Sequence, residues 1–361
     1  MKKKKPNYAL RRTIAKTILV LIILLPIVII NRVKIMNFSL YIPNIKYSNI
    51  IDALFSAEYT KDEAKEILDY IKEKDLITDN THNYILKLKS KGYSKNTINF
   101  VLKNMTPKEI TSMLSKDYDK DFEEYITLKL FDYKKYKRYL EYQEENENLS
   151  LDAVVTRVEL NLDKDYYDYE IEEKNPDSIT CLVNKYRYLP EDYEPKDLVN
   201  MEDEYANNRD NQKRLRKEAY TWFKKMVDDA KKDDISFYAE SAFRTFSYQE
   251  TIYNSYLNSM GRKATDEIAA RPGHSEHQTG LSVDLANTWT LKEGMEEYDW
   301  VKKNAHKYGY IIRYESNKED ITGFGAESWH IRYVGKKVAT EIYNKKITFD
   351  EYYVKYLQTK K

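Results

Sequence analysis

Two short stretches hold the residues of this chain best suited to chemistry. They are Ser275-Glu276-His277-Gln278-Thr279-Gly280-Leu281-Ser282-Val283-Asp284 and, further on, Glu327-Ser328-Trp329-His330. The chain has five histidines, and two of them stand here beside acids. Two imidazoles and one carboxylate, from His277, Asp284 and His330, fill three corners of a zinc tetrahedron and leave the fourth to a water. Glu327, three residues before His330, is placed to take a proton from that water. Asp284 sits among Leu281, Val283 and Leu285, where a buried carboxylate is costly unless a cation meets it. A metal supplies that cation; a salt bridge to an arginine is the alternative. The pattern points to a zinc hydrolase.

These side chains need a scaffold. His277 belongs to a loop that Pro272 and Gly273 open and Gly280 closes. Asp284 falls in a strand expected over 281–286, and His330 in one over 329–334. On an extended strand Glu327 and His330 would point to opposite faces. Glu327 is therefore expected in the turn just before, which Gly323 and Gly325 allow. Further strands are expected at 182–183, 235–239 and 311–313, and at 154–160, where Val154, Thr156, Val158 and Leu160 alternate with polar residues. Helices are expected at 214–231, 248–260 and 299–308. Irregularly mixed strands and helices suggest an α+β class, a small and largely antiparallel sheet with flanking helices. Of the other histidines, His274 is expected to frame the cleft entrance, while His82 and His306 read as structural. Trp329 and Tyr333 read as core aromatics.

The ordered blocks resemble the VanY-type D-alanyl-D-alanine carboxypeptidases, whose core is shared with L,D-carboxypeptidases, VanX dipeptidases and hedgehog domains. The resemblance runs from about Leu182 to Gly335. It is carried by Leu182-Val183-Asn184-Lys185-Tyr186, Tyr193-Glu194-Pro195-Lys196-Asp197-Leu198, Ser241-Ala242-Phe243-Arg244 with Gln249, the Ser275-to-Asp284 block, Gly309-Tyr310-Ile311-Ile312-Arg313-Tyr314, and Glu327-Ser328-Trp329-His330-Ile331-Arg332-Tyr333. Ser328 stands where family members often carry proline; that position holds no ligand. The resemblance implies a hedgehog/D-Ala-D-Ala peptidase-like fold, with Zn2+ bound by His277, Asp284 and His330 and Glu327 as catalytic base. It also implies that Arg244, Gln249 and Ser275 hold the substrate, a peptidoglycan stem peptide. A guanidinium reads a terminal carboxylate through two parallel hydrogen bonds, which suits Arg244; Arg313 is the next candidate for that task. The expected reaction is D,D-carboxypeptidase cleavage. L,D-cleavage of tetrapeptide stems and a non-catalytic wall-binding module with a vestigial zinc site are the alternatives.

At 361 residues the chain exceeds one typical domain. Its 60 basic and 59 acidic residues nearly cancel, giving no support to a nucleic-acid partner. The lone Cys181 sits in an apolar run and reads as a buried thiol. Lys2 to Lys5, Arg11, Arg12 and Lys16 precede an apolar run at 18–30. Counted from Ile14 the run is about 17 residues, ~25 Å as a helix, enough for a thinned or tilted bilayer. The expected organisation is a cytoplasmic basic tail at 1–13, a transmembrane signal anchor at 14–31 and a connector at 32–59. A small all-α region follows at 60–148, then the zinc peptidase domain at 149–345 and a C-terminal helix or tail at 346–361. The basic flank keeps the N-terminus in the cytoplasm of a bacterial cell and puts the catalytic domain outside, on a single-pass anchor. A cleaved signal peptide is the alternative. In the all-α region Thr60 and Thr106 open capping boxes and Ser94 opens a further helix, within an expected four or five short helices.

Overall fold

The computed structural model describes residues 45–207, 213–287 and 290–358. They fall into two compact units divided between Tyr133 and Lys134. In the first, local chemistry starts the helices α1 (Ile45–Ser56), α2 (Lys61–Glu73), α3 (Thr81–Lys91), α4 (Lys95–Asn104), α5 (Pro107–Leu114) and α6 (Lys120–Tyr125). Thr60 and Thr106 form the expected capping boxes, each hydroxyl accepting from the glutamate three residues on, which accepts from the cap N–H in return. Ser94 accepts from Thr97 N–H and starts α4. Residues 45–56, expected as connector, instead form α1, with Ile50, Ile51, Ala53 and Leu54 buried. That segment has no acid in its first turn and no base in its last, so the usual end signals are missing. None of the described helices is long and apolar enough to cross a membrane; the apolar run at 14–31 lies outside the described residues.

The second unit begins with α7 (Tyr136–Glu145) and α8 (Leu151–Glu159). The second of these replaces the strand expected at 154–160. Ser150 caps it by accepting from Ala153 N–H, and Val154, Val155 and Val158 are buried at helical spacing. Its alternation of valines at i and i+4 satisfies both periods, and the cap decides between them. Two small ribbons follow: β1 (Ile171–Glu172) parallel to β2 (Arg187–Tyr188), and β3 (Leu198–Asn200) antiparallel to β4 (Arg214–Arg216). Residues 182–183 are buried as expected but form no strand. The helix expected from 214 starts three residues later as α9 (Lys217–Lys232), because the first three pair with β3.

The central sheet joins β5 (Tyr238–Ser241), β6 (Ser282–Ala286), β7 (Tyr310–Tyr314) and β8 (Glu327–Tyr333) in the order β5-β6-β8-β7, every pairing antiparallel. Between them run α10 (Phe246–Ile268), bent at Gly261, and α11 (Glu296–Asn304); α12 (Lys336–Lys345) and α13 (Phe349–Tyr352) close the chain. Strand alternation then sorts the side chains. Val283, Leu285 and Ile331 join Phe223, Met226 and Val227 of α9 in the main core. Ser282 opposite Arg332 and Asp284 opposite His330 occupy the alternate positions and face the other side. That second face carries the polar chemistry.

Candidate metal centre and active site

Asp284, in the middle of β6, is the hub. Its Oδ1 lies 2.9 Å from His330 Nδ1, and its Oδ2 lies 3.2 Å from His277 Nε2 and accepts from Arg244 Nη2. One ligand atom each from His277, Asp284 and His330 lies within 4.8 Å of the others. The edges of a zinc tetrahedron with ligand distances near 2.1 Å are about 3.4 Å, close to the 2.9 and 3.2 Å of the two Asp284 contacts. Borderline nitrogen and oxygen donors of this kind suit zinc. The three residues fit the metal that the sequence implies.

Each candidate ligand is aimed by its element. His277 sits in a short 3-10 turn, Glu276–Thr279, which Ser275 caps by accepting from His277 N–H. Gly280 ends the turn at φ 62°, where a Cβ would come within 2.7 Å of Leu198. His277 Nδ1 lies 2.6 Å from the Ala242 carbonyl. A carbonyl only accepts, so Nδ1 carries the proton and Nε2 presents its lone pair to the centre. Burial and the Arg244 guanidinium push His277 down to about 4, leaving it neutral at physiological pH. Burial also works against His330, but the hydrogen bond to Asp284 and the nearby Glu276 carboxylate outweigh it and raise the ring to about 9. Burial works against the Asp284 charge, but the Arg244 guanidinium and the hydrogen bond with His330 hold it well below the usual carboxylate range.

Glu327 is not in a turn. It opens β8, and a bulge brings it to the same side as His330. Tyr314 pairs with Glu327 and Ile312 with Ile331, so residues 328–330 of β8 oppose the single Arg313 of β7. Alternation is broken there, and Glu327 Oε2 comes 3.7 Å from His330 Nδ1. Burial raises its carboxyl to about 7. It stands beside the ligands without belonging to the set that converges.

An open cleft of about 460 Å3 reaches Asp284 and Arg244, with Lys292 and Trp329 on its wall. Arg244 faces this cleft, its Nε donating to Ser241 Oγ at 3.0 Å. Trp329, expected as a core aromatic, packs partly on the core and also lines the cleft. Tyr333 is a core residue as expected. Gln249 is buried on α10, where its amide nitrogen donates to the Ala270 carbonyl and its Oε1 has no protein partner. Ser275 serves first as the cap of the His277 turn.

His274 does not frame the entrance. It is buried, with Nδ1 2.8 Å from the Asn184 carbonyl and Nε2 3.0 Å from Glu170. His306 stacks on Tyr343 at 3.9 Å, a structural role as expected. Arg313 has no exposed side chain and pairs with Glu276 and Asp350, which removes it as a reader of substrate. The sequence reading passed over Glu276, Asp350 and Lys292. Arg313 and Arg332, each inside an apolar strand, were the available signal for the two acids, since buried guanidinium groups need buried carboxylates.

The model of the family described as "VanY: D-alanyl-D-alanine carboxypeptidase" matches residues 212–336. YodJ of Bacillus subtilis (strain 168), named as a carboxypeptidase, is 43% identical over 189 residues, covering 50% of this chain and 69% of its own. Across the curated relatives the matched stretch spans between 58% and 95% of the relative's length. Among solved structures, the LD-carboxypeptidase LdcB is 41% identical with a TM-score of 0.49, covering 52% of this chain and 90% of its own. A mutant of the vancomycin-resistance D,D-pentapeptidase VanY, solved with Zn(II), is 30% identical with a TM-score of 0.42, covering 48% of this chain and 97% of its own.

Proposed function

Because the chain belongs to the VanY family of D-alanyl-D-alanine carboxypeptidases, we propose that it is a zinc-dependent D,D-carboxypeptidase that removes the terminal D-alanine of peptidoglycan stem peptides. The observation that carries this reading is the convergence of His277, Asp284 and His330 with Glu327 beside them and outside the ligand set. The chemistry supplied by zinc, when bound, is polarisation of the scissile carbonyl and a water that ionises near neutral pH. Glu327 takes the proton of the attacking water at its carboxylate and delivers it to the leaving D-alanine nitrogen. Its raised pKa, about 7, suits a group that must both accept and return a proton. Arg244, on the cleft wall, pairs with the substrate's terminal carboxylate, and Gln249 and Ser275 complete the substrate contacts. The run at 14–31 anchors the protein in the bacterial membrane, with the catalytic unit outside.

The test is incubation of the full-length, zinc-loaded protein with a defined pentapeptide muropeptide and the matching tetrapeptide. D-alanine released from the pentapeptide is the expected result. Release from the tetrapeptide alone would assign L,D-specificity instead. No release from either would leave a non-catalytic wall-binding module and overturn the proposal.

A further inference from the structure

We infer that Glu276 is a positioning residue of the metal centre, whose carboxylate fixes the His330 ring so that Nδ1, and not Nε2, faces the other two ligand atoms. The inference rests on the reading of His330 as a metal ligand. Glu276 is adjacent to His277 in sequence, and its side chain has no exposed surface.

The division of labour between its two oxygens carries the argument. Both guanidinium contacts crowd onto Oε1, from Arg313 Nε at 2.8 Å and from Arg332 Nη1 at 3.1 Å. A carboxylate that served only to neutralise arginine would ordinarily spread a fork over both oxygens. Here Oε2 is left for Ser282 Oγ at 3.3 Å and for His330 Nε2 at 3.5 Å. That Nε2 is buried and makes no hydrogen bond as it stands. Closing the gap to the roughly 2.8 Å of a charge-assisted bond takes less than about 1 Å of movement. Ligating imidazoles almost always give their second N–H to a carboxylate, carbonyl or water, which sets both tautomer and ring orientation. The Glu276 carboxylate, 3.5 Å from His330 Nε2, is placed to accept it.

The arginines are themselves held from behind. Arg313 Nη1 donates to Asp350 at 2.6 Å, and Asp350 accepts from Asn184 Nδ2 at 2.8 Å. Arg332 Nη2 donates to the Cys181 and Ile179 carbonyls at 2.9 and 3.2 Å. Two guanidinium groups and two carboxylates thus balance one another, and Glu276 is pinned from one side only. Asp350 lies on α13, beyond the residues 212–336 that match the family. The C-terminal helix therefore contributes to the centre without touching it.

The test uses the full chain and reads zinc affinity by competition with a chelator, beside the melting temperature of the metal-free protein. Glu276→Gln keeps the shape but unbalances the two arginines, so it is paired with the charge-balanced Glu276→Gln/Arg332→Gln. Zinc affinity is expected to fall about 10–100-fold in both, the usual effect of losing such a partner, while the second change recovers part of any lost stability. Wild-type zinc affinity in the charge-balanced variant would overturn the inference, because affinity would then simply follow stability. A wild type that binds no zinc would instead refute the reading of the metal site. Should neither variant fold, nitrogen NMR of the zinc-loaded wild type decides. A slowly exchanging proton on His330 Nε2 is expected, and a proton on Nδ1 would overturn the assignment.

Discussion

Replacing Glu327 by glutamine should both stabilise the metal-free protein and slow turnover by the zinc-loaded enzyme. The carboxyl rises from 4.5 to about 7, chiefly because it is buried. At about 1.4 kcal/mol per tenfold change, that rise sets about 3 kcal/mol against the ionised form. The side chain keeps 20% of its exposure, and the new amide has its own desolvation cost. A net gain of about 1–2 kcal/mol is therefore expected. Below pH 4.5 the acid is protonated in both folded and unfolded states, so the variant gains nothing there. Between pH 4.5 and 7 only the unfolded chain ionises freely, and the gain grows; above pH 7 it is complete. Denaturant unfolding of the chelated proteins at pH 4 and pH 8 measures this directly. In the zinc-loaded enzyme kcat should fall on the order of 10²–10⁴-fold with zinc retained, the usual loss for a general base. A variant no more stable at pH 8, or equally stabilised at pH 4, would refute the burial argument. Near-normal kcat would remove Glu327 from the mechanism.

The purified wild type should hold about one zinc per chain, and His277→Ala or Asp284→Ala should lose it; metal retained in both variants, measured by elemental analysis, would mean a different ligand set. Amidating the substrate's terminal carboxylate should weaken cleavage by the wild type by about 2–5 kcal/mol and matter little to Arg244→Ala. An equal penalty in both would show that Arg244 does not read the carboxylate. Protease added to intact cells should digest the C-terminal unit if it lies outside the membrane, and full protection would sink that topology.

Much of the site was legible because its motifs are local in sequence. Ser275 to Asp284 spans one turn and one strand, so residue type and spacing come close to giving geometry. Glu327 was harder. Strict alternation puts it opposite His330, and the bulge that reconciles them arises from pairing with β7, which no local pattern reports. The same limit explains α8, whose valines fit two periods, and α1, which lacks the acidic and basic ends that mark its neighbours. Glu276 and Asp350 were harder to place for another reason. Each becomes meaningful only when Arg313 brings two parts of the chain together, 37 residues away in either direction.

The position of Arg244 would tie metal binding to the proposed substrate contact. Its Nη2 donates to Asp284 Oδ2, the oxygen that also faces His277. A guanidinium committed to one carboxylate cannot offer its full fork to a second. Asp284 is also met by His330, which is protonated at neutral pH when its pKa is about 9. Asp284, with His277 and His330, would hold a divalent cation, and the cation's charge would supply the neutralisation that Arg244 and His330 now give the buried carboxylate. The guanidinium, which lines the cleft, would then be free for the terminal carboxylate that the proposed activity requires it to hold. Under the proposed function the metal would bind before the substrate, and Arg244 would pair with substrate in the zinc-loaded enzyme. The amidation comparison therefore has its meaning only with zinc in place, since without it Asp284 and the substrate compete for the same side chain.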